Sequence, residues 1–211
     1  MEIVWLGHSC FRIRGKEAAI VTDPFDKTLG YPVKKVTANI VTVSHQHPHH
    51  SFSEGVAGDP RVVSRPGEYE IQSVFINGIA TSHDAAEGEQ RGRNTVFLIQ
   101  IEDVSICHLG DLGHVPTAEQ IEQMSDADIL MVPVGGGPTI GAQAAVEIIS
   151  LIQPKIVMPM HYKTDVVTMD LEPPDRFLKE MGVKEPLVQP KLTVSKSSLP
   201  IDTSVVMLDY H

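Results

Sequence analysis

At 211 residues, with 42% hydrophobic and 21% charged side chains and no low-complexity tract, the chain is sized for one domain, 1–211, with an adequate core. Seventeen basic against twenty-seven acidic residues give a formal charge of -10, which argues against a nucleic-acid partner bound through a uniform basic face. No run approaches the roughly 18 apolar residues of a membrane span, and the start, M-E-I-V-W-L-G-H-S-C-F, has no basic signal region, so a cytoplasmic protein without a membrane partner is expected.

Glu2–Leu6, Cys10–Ile13 and Ala18–Thr22 read as a meander of short strands, the last leading into Asp23-Pro24-Phe25. Gly7 makes the first turn. His8, in G-H-S-C-F, either reaches a nearby site or caps its own loop, and the residues leave both open. Cys10 and Cys107 are the only cysteines; both fall in strand-like stretches, which favours two buried thiols over a disulfide.

Asn39–Val43 is short, apolar and β-branched, a buried strand that ends at Ser44. Four of the ten histidines then fall within His45–His50, in the run S-H-Q-H-P-H-H-S. In an extended segment residues i and i+2 project to one side, so His45 and His47 can face one ion. His50, past a turn helped by Pro48, can face a second point nearby. Phe52–Asp59 reads as a short helical stretch, followed by strands at Arg61–Ser64, Glu68–Ile71 and Val74–Ala80.

The last of these delivers His83, and the polar loop A-A-E-G-E-Q-R-G-R-N follows it. Thr95–Ile101 and Val104–Leu109 read as a hairpin whose second strand ends in Gly110-Asp111-Leu112-Gly113-His114. A carboxylate among small residues after an apolar strand can bridge two cations. Thr117 to Gln120 has the pattern of a capping box at the start of a helix. Asp128–Val134 is a buried strand before a glycine turn, Gly141–Ile152 a helix, and Lys155–Met160 a strand that delivers His161. A helix over Pro174–Met181 and strands at Lys191–Ser195 and Ser204–Asp209 complete the chain.

The strand-end ligand types are therefore His45, His47, His49, His50, His83, Asp111 and His161. This nitrogen and oxygen set without thiolate suits one or two divalent ions, zinc first, with manganese or iron as alternatives. Water on such an ion, its pKa lowered toward about 7, supplies hydroxide for attack on an acyl or phosphoryl centre. Asp111 would take part in that chemistry as the bridging acid, and His114 is a candidate proton donor or a loop histidine without chemistry. Arg91, Arg93 and Asn94, in the loop after His83, are candidates to grip a substrate anion.

The order of these elements, a strand with H-x-H-x-x-H, an isolated His, a strand ending in G-D and a strand ending in His, resembles the metallo-β-lactamase superfamily. Together with G-H-S-C-F, D-P-F, S-H-D, R-G-R-N, H-L-G-D-L-G-H and P-M-H-Y, it is similar to a branch of small metal-dependent hydrolases related to L-ascorbate-6-phosphate lactonase. The resemblance implies an α/β fold, a four-layer αβ/βα sandwich with metals at one edge. It also implies that His45, His47 and His83 hold a first metal, that His50 and His161 hold a second, and that Asp111 bridges both. The family pattern is H-x-H-x-D-H, and His49 stands here where that aspartate would be. His49 as a substitute ligand, a weakened second site, or a site that keeps its ions without hydrolysis all remain open.

The expectation carried forward is a hydrolase using metal-bound hydroxide on a small-molecule ester, lactone or phosphoester. A non-catalytic metal-binding or ligand-sensing protein and a nuclease are the alternatives, and homo-oligomerisation is left open.

Overall fold

The computed structural model describes residues 1–33 and 35–210. Two sheets stack face to face. The first has six strands in the order Leu192–Thr193, Glu2–Gly7, Cys10–Arg14, Ala19–Thr22, Ile40–Thr42, Arg61–Val63. The second has seven, in the order Ser204–Val205, Ile156–Met160, Ile129–Pro133, Val104–His108, Arg93–Ile101, Val74–Ser82, Gly67–Ile71.

Alternation along each strand sets the layers. Ile20 and Ile40 point into the core shared with the second sheet, together with Ile3, Phe11, Phe97, Ile99 and Ile106. Their neighbours Val21 and Val41 point the other way, into a smaller cluster with Phe25, Leu29, Tyr31 and Val167. That outer layer is built from loops, 3₁₀ turns and a two-strand ladder, Val36–Thr37 with Val56–Ala57. The outer face of the second sheet carries three helices: α1 (Ala118–Met124), α2 (Ala142–Ile152) and α3 (Asp175–Glu180). Helix α2 buries Ala142, Ala145, Ile148, Ile149 and Ile152, a stripe at helical spacing. The capping box expected at Thr117 and Gln120 closes both ways, with Gln120 N–H donating to Thr117 Oγ1 and Thr117 N–H to Gln120 Oε1.

Three expectations change. Phe52–Asp59 is not a helix: only Ser53–Gly55 forms a 3₁₀ turn, and Val56–Ala57 continues as a strand beside Val36–Thr37. The strand expected over Ser204–Asp209 breaks at Val206, so that Ser204–Val205 joins the large sheet and Met207–Leu208 pairs with Val188–Gln189. The loop after His83 is shorter than expected, because the flanking strands run on through Ser82 and begin again at Arg93. Cys10 and Cys107 are free, buried thiols. No helix among the described residues is long and apolar enough to cross a membrane.

Strand direction decides where chemistry can gather. In the second sheet Val104–His108, Ile129–Pro133 and Ile156–Met160 are parallel, and Val74–Ser82 shares their direction because two antiparallel pairings separate it from Val104–His108. In the first sheet Glu2–Gly7, Ala19–Thr22 and Ile40–Thr42 share a direction by the same count. Residues just past these C-terminal ends, His8, Asp23, His45, His83, Asp111 and His161, meet along one rim of the sandwich. Ser44 O accepts from Thr95 N–H at 2.9 Å, tying the two sheets together beside that rim.

Candidate metal centre

Four imidazoles converge on one carboxylate oxygen. Asp111 Oδ2 lies 3.2 Å from His50 Nε2, 3.3 Å from His83 Nε2, 3.4 Å from His161 Nε2 and 3.9 Å from His45 Nε2. Asp111, His50, His83 and His161 are buried, and His45 is 11% exposed. Three groups bring ligand atoms within 4.8 Å of one another: His45, His47 and His50; His45, His83 and Asp111; and His8, His50 and His161. The donor set is nitrogen and oxygen only, borderline to hard, and fits a divalent ion such as zinc.

Ring orientation is set from behind by Asp23, which is 0% exposed. Asp23 Oδ2 accepts from His50 Nδ1 at 3.0 Å and from Ser44 Oγ at 2.6 Å, while Oδ1 accepts from Ser44 N–H at 2.8 Å. Ser44 Oγ, its proton given to Asp23, accepts from His45 Nδ1 at 3.1 Å. One buried carboxylate thus fixes two imidazoles with Nε2 aimed at the centre, the arrangement by which a supporting acid orients a ligating histidine. A second frame holds Asp111: its N–H donates to Asn94 Oδ1 at 3.0 Å, and Asn94 Nδ2 donates to Thr81 Oγ1 at 2.8 Å and Leu109 O at 3.0 Å. Gly113 and Gly135 pack against the backbone of His83 and His161, where a Cβ would collide.

Charge at the centre is mutual. Burial opposes ionisation of Asp111, but His161 and His50 outweigh it and hold its pKa well below the usual carboxylate range. Burial likewise opposes a charge on His50, yet Asp111 and Asp23 push its pKa up to about 10. His83 is raised too, against burial, by Asp111. His45 falls to about 4, from burial first and then from His50, and His8 is lowered by burial, His161 and His50. A set of imidazoles that cannot all be protonated around one anion is a place where a cation relieves repulsion.

The ligand candidates from sequence do not all arrive. His49 lies outside the three groups: its Nε2 is 3.3 Å from Thr28 Oγ1, and its backbone N–H donates to His47 Nδ1. His114 is not free to donate a proton to substrate, since Nδ1–H donates to Val115 O at 2.9 Å and Nε2 accepts from Ser82 N–H at 3.3 Å. Asn94 is 1% exposed with its amide fully used, so it positions Asp111 in place of gripping an anion. Arg93 pairs with Ser82 across the strands, and alternation sends its side chain to the face opposite His83. Arg91 remains at the rim, exposed, with Nη1 donating to Gly137 O at 3.1 Å.

Sequence reading passed over Asp23, although the signal was available. It follows an apolar strand as Asp111 does, in a parallel strand next to the one that delivers His45. The role of Ser44 had no such signal, because a serine before a histidine is unremarkable until the carboxylate behind it is placed.

A family model described as the β-lactamase superfamily domain matches residues 2–161. A crystal structure from Thermotoga maritima, of a candidate Zn-dependent hydrolase of the metallo-β-lactamase superfamily, is 40% identical, with a TM-score of 0.81 over 99% of this chain and 98% of that one. A UPF0173 metal-dependent hydrolase from Thermoplasma acidophilum is 31% identical, covering 84% of this chain and 89% of its own. One from Thermoplasma volcanium is 30% identical, covering 81% and 87%.

Proposed function

Because the chain belongs to the metallo-β-lactamase superfamily, we propose that it is a metal-dependent hydrolase that cleaves a small, anionic ester, lactone or phosphoester. The observation that carries this reading is the convergence of four imidazole nitrogens within 3.2 to 3.9 Å of Asp111 Oδ2.

A divalent ion held there, zinc in our reading, would supply Lewis acidity and a source of hydroxide at neutral pH. The chain supplies the rest. His45, His47 and His83 would hold one ion, and His50 and His161 a second, with Asp111 shared. Asp23 and Ser44 lock the rings of His50 and His45, so little reorganisation is needed at the moment of reaction.

The rim selects the substrate. Asp84 accepts four backbone N–H groups, from Ala86, Gly88, Gln90 and Arg91, and so fixes the loop that presents Arg91. The guanidinium of Arg91 bridges to Gly137 through one N–H and keeps others for an anionic group. In a chain of net charge -10 a local cation on the loop that follows His83 favours a small anion over a nucleic acid.

The test is turnover of a panel of carboxyl esters, lactones and phosphoesters by the purified protein, with and without chelator, and after readdition of zinc or manganese. Metal-dependent turnover of at least one member is expected. Bound metal with no turnover anywhere in the panel would favour a binding or sensing role.

A further inference from the structure

We propose that His8 is a metal ligand, which together with His50, His161 and Asp111 makes a second cation subsite where His49 turns away. The inference rests on reading the cluster as a metal centre and goes beyond it, since the sequence left open whether His8 reaches a nearby site or caps its loop, and the resemblance gave it no ligand role.

Geometry comes first. The ligand nitrogens of His8, His50 and His161 lie within 4.8 Å of one another, and all three side chains are buried. The His8 ring centroid is 4.0 Å from that of His161 and 4.9 Å from that of His50. His8 is 0% exposed, and neither of its ring nitrogens has a hydrogen-bond partner; His161 Nδ1 has none either, while its Nε2 faces Asp111 Oδ2 at 3.4 Å. An unpartnered buried polar nitrogen loses its water without gaining a partner, so two imidazoles with such nitrogens side by side demand an explanation. A shared cation supplies it. The alternative in which His8 caps its own loop fails, because capping needs a ring nitrogen bonded to the loop backbone.

The backbone holds the ring in place. His8 has φ 53° and His161 φ 52°, left-handed conformations that a non-glycine residue adopts at a cost. The His8 carbonyl accepts from Trp5 Nε1 at 2.9 Å and from His161 N–H at 3.2 Å. The next carbonyl, Ser9 O, accepts from Thr22 Oγ1 at 3.0 Å and His108 Nε2 at 2.8 Å. Four donors thus pin a two-residue turn whose one large side chain points inward. Three imidazoles and one carboxylate form a set that zinc and similar ions accept. His49, at the position of the acid in the motif, has its ring centroid 6.3 Å from that of His8 and its Nε2 beside Thr28.

The experiment uses the full chain, stripped and reloaded with zinc for element analysis and calorimetry, and with cadmium-113 for nitrogen-detected imidazole spectra. The wild-type protein should bind two ions, with cadmium coupling to a His8 ring nitrogen. His8→Asn, which tolerates the left-handed backbone, should keep one ion and weaken the second at least ~10-fold, whereas His49→Ala should keep both. Two ions bound by His8→Asn at wild-type affinity would overturn the assignment. Should that variant fail to fold, the cadmium spectrum of the wild type decides, and no coupling to His8 overturns it. A wild type that binds no ion would sink the hydrolase reading as well; one ion without His8 coupling sinks only this inference.

Discussion

His50 Nδ1 lies 3.0 Å from Asp23 Oδ2, a pair sealed from solvent at the junction of the two sheets. Through this contact and through Ser44, a residue that touches no substrate controls two ligands. Asp23→Asn keeps the shape and removes the charge. Metal affinity should fall roughly 10- to 100-fold, the usual effect of losing a supporting carboxylate. Competition against a chromogenic chelator measures it, and unchanged affinity would show that the pair is structural only.

The same pair makes metal uptake a proton-releasing event. With its pKa pushed up to about 10, His50 carries a proton at neutral pH in chelator-treated protein, and an ion at Nε2 must displace it. Calorimetry at pH 7 in buffers of different ionisation enthalpy should therefore report about one proton or more released per chain. The sign for stability follows. A folded pKa above the ordinary 6.5 stabilises metal-free protein fully below pH 6.5, and that contribution disappears as pH rises through about 10. Thermal melts of stripped protein between pH 6 and pH 11 check this.

His114 is a latch between the strand that delivers His83 and the loop that follows Asp111. His114→Ala should cost about 1–2 kcal/mol of stability for its two hydrogen bonds and leave kcat within about threefold. A general acid would instead be worth about 10²- to 10⁴-fold, so a loss of that size without destabilisation would return the proton-donor role to His114.

Asp84 organises the rim loop. Burial opposes its ionisation, but N–H groups of Arg91, Gly88, Ala86 and Gln90 outweigh that and hold its pKa below the ordinary 3.8. A depressed carboxylate stabilises the loop fully above pH 3.8, and the benefit is lost as pH falls through the lower folded value. Hydrogen exchange at those four amides should speed up together in Asp84→Ala, and kcat/KM for an anionic substrate should fall with the disordering of Arg91. Exchange that is unchanged in the variant would refute the clamp.

Much of this molecule is written locally. Val21 and Ile20, or Val41 and Ile40, announce opposite faces by alternation, and Thr117 with Gln120 announces a helix start, because each depends only on near neighbours. His45, His83, Asp111 and His161 could be picked out because each ends an apolar run, where a polar residue has few reasons to be other than functional. The directions of side chains were harder to read. Arg93 and Asn94 looked alike in a polar stretch, yet the register against Thr81 and Ser82 put one outside and the other under Asp111.

The sequence by itself determined the strand and helix segments and the set of ligand types, since periodicity and strand-end chemistry are short-range properties, and the sandwich followed from the family resemblance of their order. Only the tertiary structure decided that Asp23 stands behind His45 and His50, that His49 faces Thr28, and that His8 turns inward. Those outcomes follow from the left-handed backbone at His8, Asp23 and His161 and from contacts between residues as far apart as His8 and His161, which no local pattern encodes.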